Sequence, residues 1–173
     1  MPLHWPRLAL ILCLTAASGG CPHDSHIDSY TRQKPTANDL VGTYKLTAQN
    51  LNDRPIAELK SPAGLAAGPC TIKLYADGIL EYRHVPIWVG NWANGVDQWS
   101  IKEFASGSGK WEIDVVGGTR DPSGVVELYG LKLTDASLAD STLLLGSKPP
   151  YEIVFEFGDA DAGNAMRFEI VPE

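Results

Sequence analysis

Cysteine and tryptophan are the residues of this chain whose spacing suggests chemistry, and the cysteines give the more specific signal. The three cysteines stand at positions 13, 21 and 70. Cys21 follows an apolar run, residues 8–14, and a series of small residues that ends in Ser18-Gly19-Gly20. The apolar run is far shorter than the ~18 residues of a membrane-spanning helix, so the segment has the properties of a removable export signal.

Residues 1–21 resemble a bacterial lipoprotein signal, in which the cysteine after a small residue is acylated and becomes the new amino terminus. Gly20 and Cys21 match this pattern, whereas Ser18 stands where the family usually has Leu. The resemblance implies that Cys21 carries lipid, palmitate included, and anchors the protein to the outer membrane, at its periplasmic side or at the surface. The alternative is ordinary cleavage near residues 16–18, which gives a soluble secreted or periplasmic protein.

Cys70 is the second cysteine of the mature chain, because Cys13 lies inside the signal. Export places Cys21 and Cys70 in an oxidising compartment, so a disulfide between them competes with lipidation. The side of the sheet that Cys70 faces therefore matters. If it faces inward, a partner on a flexible amino terminus is harder to reach, and lipidation is favoured.

A hairpin around Ala76-Asp77-Gly78 predicts that inward direction. A three-residue loop with Gly78 in the left-handed conformation pairs Leu74 with Leu80, and keeps apolar residues together on one face. The same register places Cys70 opposite His84 on the inner face. Such a pair can be a nucleophile and base or half a metal site, but a buried thiol beside an imidazole is the simpler interpretation.

Residues 88–99 have the most unusual local composition. They hold three of the four mature tryptophans beside amide side chains. Aromatic faces next to amides suit the binding of sugars, peptides or protein loops, whereas a hairpin that turns at Asn94-Gly95 would place the indoles in the core. The candidate residues for ligand or partner binding are Trp88, Asn91, Trp92, Asn94 and Trp99.

Further chemical motifs are not found. The acidic stretch 159–164 has clustered oxygen ligands but not the glycine and acidic spacing of a calcium loop, so a hairpin turn is the better interpretation. The sequence has no hydrolase, zinc-protease or phosphate-loop motif. It predicts no catalytic residue, no cofactor and no metal site.

The elements that must position these residues are strands. From Leu40 onward, apolar and polar residues alternate with a period of two, as in half-buried antiparallel strands. The alternation is clearest at 40–46, 110–115, 151–157 and 166–170, with further strands expected near 70–75, 79–85, 124–133 and 142–147. The sequence predicts an all-β domain of about eight strands, with at most a turn or two of helix in 54–67 and 134–140.

Composition divides the chain into three parts: a signal (1–20), a polar tether (21–37) and an antiparallel β domain (38–173). The whole chain has a net charge of −7, and removal of residues 1–20 leaves 13 basic against 21 acidic side chains, or −8. An acidic surface argues against nucleic acid as a partner. Membrane contact is expected through Cys21 alone.

Residues 38–44, Asn-Asp-Leu-Val-Gly-Thr-Tyr, resemble the opening strand of lipocalin-like (calycin) barrels, with Tyr44 in place of the usual Trp. The stretch 107–111, Gly-Ser-Gly-Lys-Trp, resembles the Gly-x-Trp strand of small bacterial lipocalin-like lipoproteins. The resemblance implies an up-and-down barrel in preference to a sandwich, and a long first connection over 49–69.

We therefore expect an envelope-anchored lipoprotein whose β domain binds without catalysis, either a small apolar ligand or another exported protein. The alternatives are an envelope enzyme, such as a hydrolase or isomerase, and an inhibitor or immunity-type partner of an exported enzyme. Their cavities should differ: polar and convergent in an enzyme, apolar in a ligand carrier, and filled beneath an exposed aromatic patch in a partner-binding protein.

Overall fold

The computed structural model shows an all-β domain, and it describes residues 29–51, 54–55, 69–93, 96–122, 124–139, 141–157 and 164–172. Cys21, the signal and most of the 49–69 connection lie outside these residues. The described strands are β1 (Gly42–Leu51), β2 (Arg54–Pro55), β3 (Thr71–Leu74), β4 (Ile79–Ala93), β5 (Val96–Asp121), β6 (Gly124–Thr134), β7 (Ser141–Leu145), β8 (Glu152–Glu156) and β9 (Ala165–Ile170). They confirm each of the expected strands.

Eight of these strands form one closed antiparallel ring, a barrel-like architecture. Each pairs with the next along the chain, from β1 and β3 through to β9, and β9 pairs back onto β1. The closing register places Tyr44 opposite Ile170 and Leu46 opposite Phe168. The two-residue β2 pairs with β1 outside the ring. Closure into a single sheet confirms the barrel-like arrangement over a two-sheet sandwich.

The β3–β4 hairpin has the register that apolar pairing predicts. Leu74 lies opposite Leu80, Ile72 lies opposite Tyr82, and the Tyr75 N–H donates to the Ile79 carbonyl across the turn. Gly78 has a φ of 82°, in the left-handed region that a residue without Cβ adopts readily. A two-residue loop would instead have placed charged side chains of β4 in the core.

The ring has two ends, which we call upper and lower. The β3–β4, β5–β6 and β7–β8 turns lie at the lower end, because alternate connections of an antiparallel meander lie on the same side. The β4–β5, β6–β7 and β8–β9 connections lie at the upper end. Between the ends, buried side chains from all parts of the ring form one apolar core, with Tyr44, Leu80, Leu131 and Phe168 at its centre.

The lower end is filled by residues that precede β1. A short 3-10 helix, Ala37–Asp39, leads to Leu40, whose side chain is fully buried in the core. The Tyr44 hydroxyl donates to the Leu40 carbonyl at 2.9 Å. Nearby, the Trp111 indole N–H donates to the carbonyls of Tyr75 and Ile79, both at 3.1 Å. The 3-10 helix has no counterpart in the sequence prediction.

Residues 29–31 belong to the folded domain, although their polar composition predicts a tether as far as residue 37. β6 pairs with β7 at Gly130–Lys132, and beyond this stretch Thr31 lies between the two strands. The Thr31 N–H donates to the Leu144 carbonyl at 2.8 Å, and the Tyr129 N–H donates to the Thr31 carbonyl at 2.9 Å. Backbone hydrogen bonding, which polarity cannot reveal, orders this segment.

Two strands are much longer than the expected segments. β4 has 15 residues and β5 has 26, so β5 pairs with β4 over its first half and with β6 over its second. β3 pairs only with the first part of β4, as far as Arg83. The rest of β4 and the start of β5 therefore form a two-stranded ribbon at the upper end, which we call the upper ribbon (86–93 and 96–104).

Helix is nearly absent from the described residues. The expected helical turn at 134–140 is instead a series of bends over 135–138. Of the helices among the residues that the structure describes, none has the length and apolarity to cross a membrane.

Candidate functional site

An apolar cavity opens at the upper end of the ring. Its volume is about 240 Å³. Three parts of the fold surround it: the base of the upper ribbon, the β6–β7 connection, and the adjoining ends of β8 and β9. The lining residues are Val85, Pro86, Ile87, Trp88, Ser137, Leu138, Ala139, Phe155, Glu156, Phe157 and Met166. Most of this lining is aliphatic or aromatic, which suits an apolar ligand.

An aromatic contact crosses the upper end of the ring. The rings of Trp88 and Phe157 stack with centroids 5.1 Å apart and planes 4° from parallel. Trp99 meets the same Phe157 edge to face, at 5.2 Å and 65°. Trp88 belongs to β4 and Phe157 follows β8, and three strands separate β4 from β8 on either side of the ring. The contact therefore joins opposite walls; we call these three side chains the aromatic bridge.

A glycine sets the position of Trp99 in the bridge. Gly90 lies opposite Trp99 in the ribbon, and a Cβ built on Gly90 would stand 2.9 Å from the outer edge of the indole. The missing side chain leaves the space that the Trp99 indole occupies beside the neighbouring strand. Glycine by itself weakens a strand, and an aromatic side chain packed over it from the neighbouring strand offsets that loss.

The indole N–H groups of Trp88 and Trp99 are buried and have no acceptor among the described residues. A buried donor without an acceptor costs about 1–3 kcal/mol. By contrast, the Trp111 indole at the lower end has two acceptors. Trp88 and Trp99 therefore gain ring contacts but leave their indole N–H groups without an acceptor, whereas the Trp111 indole N–H is hydrogen-bonded.

The structure brings together two of the five binding residues that composition indicated. Trp88 lines the cavity and Trp99 packs beside it through Phe157. Asn91 and Trp92 lie further along β4, paired with Gln98 and Asp97, and their side chains lie outside the description. Asn94 lies outside the described residues. Ala93 pairs with Val96, so the strands continue to both sides of Asn94-Gly95 as a hairpin turn requires.

Sequence reasoning missed the residues that β8 and β9 contribute to the site. In the sequence, Phe155, Phe157 and Met166 are only apolar positions of the alternating segments 151–157 and 166–170. Their local alternation of apolar and polar residues is the same for a residue that lines the upper cavity as for one in the filled core. Their place at the upper end follows from strand direction, since β8 ends and β9 begins there.

The expected inward pair of Cys70 and His84 is not formed. Cys70 is buried, with 6% of its surface exposed, and burial raises the pKa of its thiol. The His84 side chain is exposed, because β4 is irregular between Tyr82 and Val85 and His84 takes a φ of 52° there. The alternation that predicted an inward imidazole does not continue through a bulge.

A second cavity, of about 210 Å³, lies beside β7 and is lined by Val116, Thr142, Leu143 and Glu156. Glu156 accepts a hydrogen bond from the Tyr30 hydroxyl at 2.7 Å. Tyr30 packs with Leu128, Leu145 and Val154 in a small cluster separate from the main core. Among the described residues, no three His, Cys, Asp or Glu side chains group as metal ligands would.

The acidic stretch 159–164 lies almost wholly outside the described residues, but its flanks are paired. Glu156 lies opposite Ala165, and the Phe157 N–H donates to the Asn164 carbonyl. These contacts pair the end of β8 with the start of β9 on either side of the stretch.

Searches of protein-family models, of curated proteins and of solved structures find no match to this chain.

Proposed function

We propose that this protein is a lipoprotein of the bacterial cell envelope whose β domain binds a small apolar ligand, without catalysis, in the cavity at the upper end of the ring. The observation that carries the proposal is the lining of that cavity. Leu138, Phe155 and Met166 supply apolar surface from three separate elements, and Trp88 closes one side. Burial of a ligand's apolar surface there contributes about 25 cal/mol per Å².

The proposed anchor is the lipid on Cys21. Its support is the sequence of the export segment, with Gly20 immediately before the cysteine. The burial of Cys70 favours lipidation over a disulfide between the two cysteines, since a buried thiol is a poor partner for a terminal one. Replacement of Cys21 by Ser should move the protein from the detergent phase to the aqueous phase with no loss of folded structure.

The ligand site is tested with a neutral aromatic fluorescent probe, N-phenyl-1-naphthylamine. Leu138→Trp introduces a large side chain into the cavity, and Val125→Trp introduces the same side chain at a position that is 71% exposed near the lower end. We expect Leu138→Trp to weaken probe binding at least about tenfold, which corresponds to about 1.4 kcal/mol. Val125→Trp should leave binding unchanged. Equal binding by both variants would show that the probe binds elsewhere.

A second candidate function, the binding of an exported protein, is favoured by the upper ribbon. Within the described residues no third strand pairs with 86–93 or 96–104. Backbone groups along such edges can pair with a strand from another chain. Replacement of residues 91–98 by Asn-Gly shortens the ribbon and keeps Trp88 and Trp99. The measurement is chemical cross-linking of the protein to other envelope proteins. A cross-link that the wild-type protein forms and this variant does not, with probe binding retained in the variant, would indicate that a protein partner binds the ribbon.

A further inference from the structure

We propose that the protein stands on the membrane by its lower end and presents its cavity and upper ribbon to the aqueous compartment. The ligand is then taken from that compartment, free or carried by another molecule, and not from the leaflet that holds the anchor. This inference rests on the proposed function, because it requires lipid on Cys21. Its own argument comes from the direction of the chain at residues 29–31.

Residues 29–31 run upward along the ring. Tyr30 forms an antiparallel bridge with Leu145, and β7 runs downward from the β6–β7 connection to the β7–β8 turn. Ser29 is therefore the lowest of the three residues. Its carbonyl accepts from the N–H of Gly146, the first residue after β7. The chain that leads back to Cys21 consequently departs from the lower end.

The cavity lies at the other end of the same strands. Its lining includes Phe155 and Phe157 at the end of β8, and Met166 at the start of β9. Leu145, the partner of Tyr30, pairs with Glu152, so Phe157 stands five positions further along the chain than the level of Tyr30. At ~3.3 Å per residue this is about 17 Å along the strand, before the upper ribbon extends further.

The connection to the anchor is short. Seven residues lie between Cys21 and Ser29, and the eight residue-to-residue steps from one to the other span at most about 28 Å when fully extended. A domain held on so short a connection is closest to the membrane at its point of attachment. The mature chain's charge of −8 is repelled by anionic head groups, so no electrostatic attraction draws the domain as a whole onto the lipid.

The experiment measures which end of the lipidated protein lies near the bilayer. Ser147 lies in the β7–β8 turn at the lower end and Lys102 lies on the upper ribbon, and both side chains are exposed. Ser147→Cys and Lys102→Cys are each made together with Cys70→Ser, labelled with one fluorophore, and reconstituted in vesicles of phosphatidylcholine and phosphatidylglycerol that carry head-group nitroxide quenchers. The Cys21→Ser protein, labelled in the same way, is the unanchored control.

We expect quenching of the Ser147→Cys label to exceed that of the Lys102→Cys label at least twofold, and neither label to be quenched in the control. Equal quenching, or stronger quenching on the ribbon, would overturn the orientation while leaving the anchor and the cavity intact. If the protein that keeps Cys21 does not co-float with the vesicles in a density gradient, the proposed anchor is wrong, and the orientation is wrong with it. Probe binding, measured separately, distinguishes a failed orientation from a failed ligand site.

Discussion

The indole of Trp88 and the phenyl ring of Phe157 stack at 5.1 Å across the upper end of the ring. The two residues are 69 positions apart in the chain and belong to opposite walls. Their contact holds the base of the upper ribbon over the cavity. An isolated two-stranded ribbon is only marginally stable in water, so this contact is expected to contribute to both the order of the ribbon and the shape of the site.

The aromatic bridge should show a measurable coupling energy. Trp88→Leu, Phe157→Leu and the double variant form a double-mutant cycle, and we expect a coupling of about 1 kcal/mol, as for other aromatic pairs. Urea unfolding of the four proteins measures it. Additive effects of the two single substitutions would show that the stacking contributes nothing beyond apolar burial.

Tyr30 should stabilise the domain through Glu156. The Tyr30 hydroxyl donates to this carboxylate at 2.7 Å in a partly buried setting, so Tyr30→Phe should lower the free energy of unfolding by about 1–2 kcal/mol. Tyr129→Phe is the matched control, because Tyr129 makes the same kind of bond to Glu127 in an exposed setting. Its expected effect is below about 0.5 kcal/mol. Similar losses in both variants would contradict the structural role given to residues 29–31.

Gly130 should not tolerate a side chain. A Cβ there would collide with the Thr142 carbonyl oxygen and would stand 2.7 Å from the Val116 side chain. Gly130→Ala should lower the free energy of unfolding by about 3 kcal/mol or prevent folding, since overpacked sites relax only in part. Gly117→Ala is the control, because the nearest atom to its Cβ lies 3.8 Å away. Circular dichroism with thermal unfolding compares the two variants.

Tyr44 should make stability sensitive to alkali. Burial raises the pKa of its phenol from 10.0 to about 12, so the folded protein holds this proton more tightly than the unfolded chain does. The resulting stabilisation is complete below pH 10 and is lost as pH rises toward 12, by about 2–3 kcal/mol in total.

Comparison with Tyr44→Phe isolates this effect. At pH 8 the variant should be less stable by about 1 kcal/mol, because it lacks the hydrogen bond to the Leu40 carbonyl. Between pH 10 and 12 the difference should shrink and then change sign, because the wild-type protein loses about 2–3 kcal/mol over this interval whereas phenylalanine has no proton to lose. Parallel stability curves over this interval would show that Tyr44 ionises as freely in the folded state as in the unfolded chain.

The Cys70 thiol should be unreactive in the folded protein. Burial raises its pKa and hinders access, so alkylation by iodoacetamide at pH 8 should be at least about tenfold slower than in urea. His84→Ala should leave the native rate unchanged, because the imidazole is exposed and does not face the thiol. A slower reaction in that variant would restore the nucleophile and base interpretation. Mass spectrometry of the alkylated protein measures both rates.

Most of the fold follows from the alternation of apolar and polar residues in the sequence. Strand positions, the inner face and the register of the β3–β4 hairpin all follow from local burial, because a shift of one residue would exchange core and surface side chains. Among site residues, composition indicated Trp88 and Trp99, which the structure joins. The export segment and Cys21 also come from the sequence alone, and their functional meaning stays a prediction.

Tertiary structure decided the rest, because it depends on contacts between distant residues. The alternating pattern cannot show that β9 pairs with β1 or that Phe157 stacks on Trp88. It also cannot show that Thr31 hydrogen-bonds between β6 and β7. Nor can it foresee the bulge that turns His84 outward, since a bulge changes the face of a residue without changing its neighbours in sequence. The chain's own residues specify strands and faces, whereas only closure of the ring sets the cavity at one end and the departing amino terminus at the other.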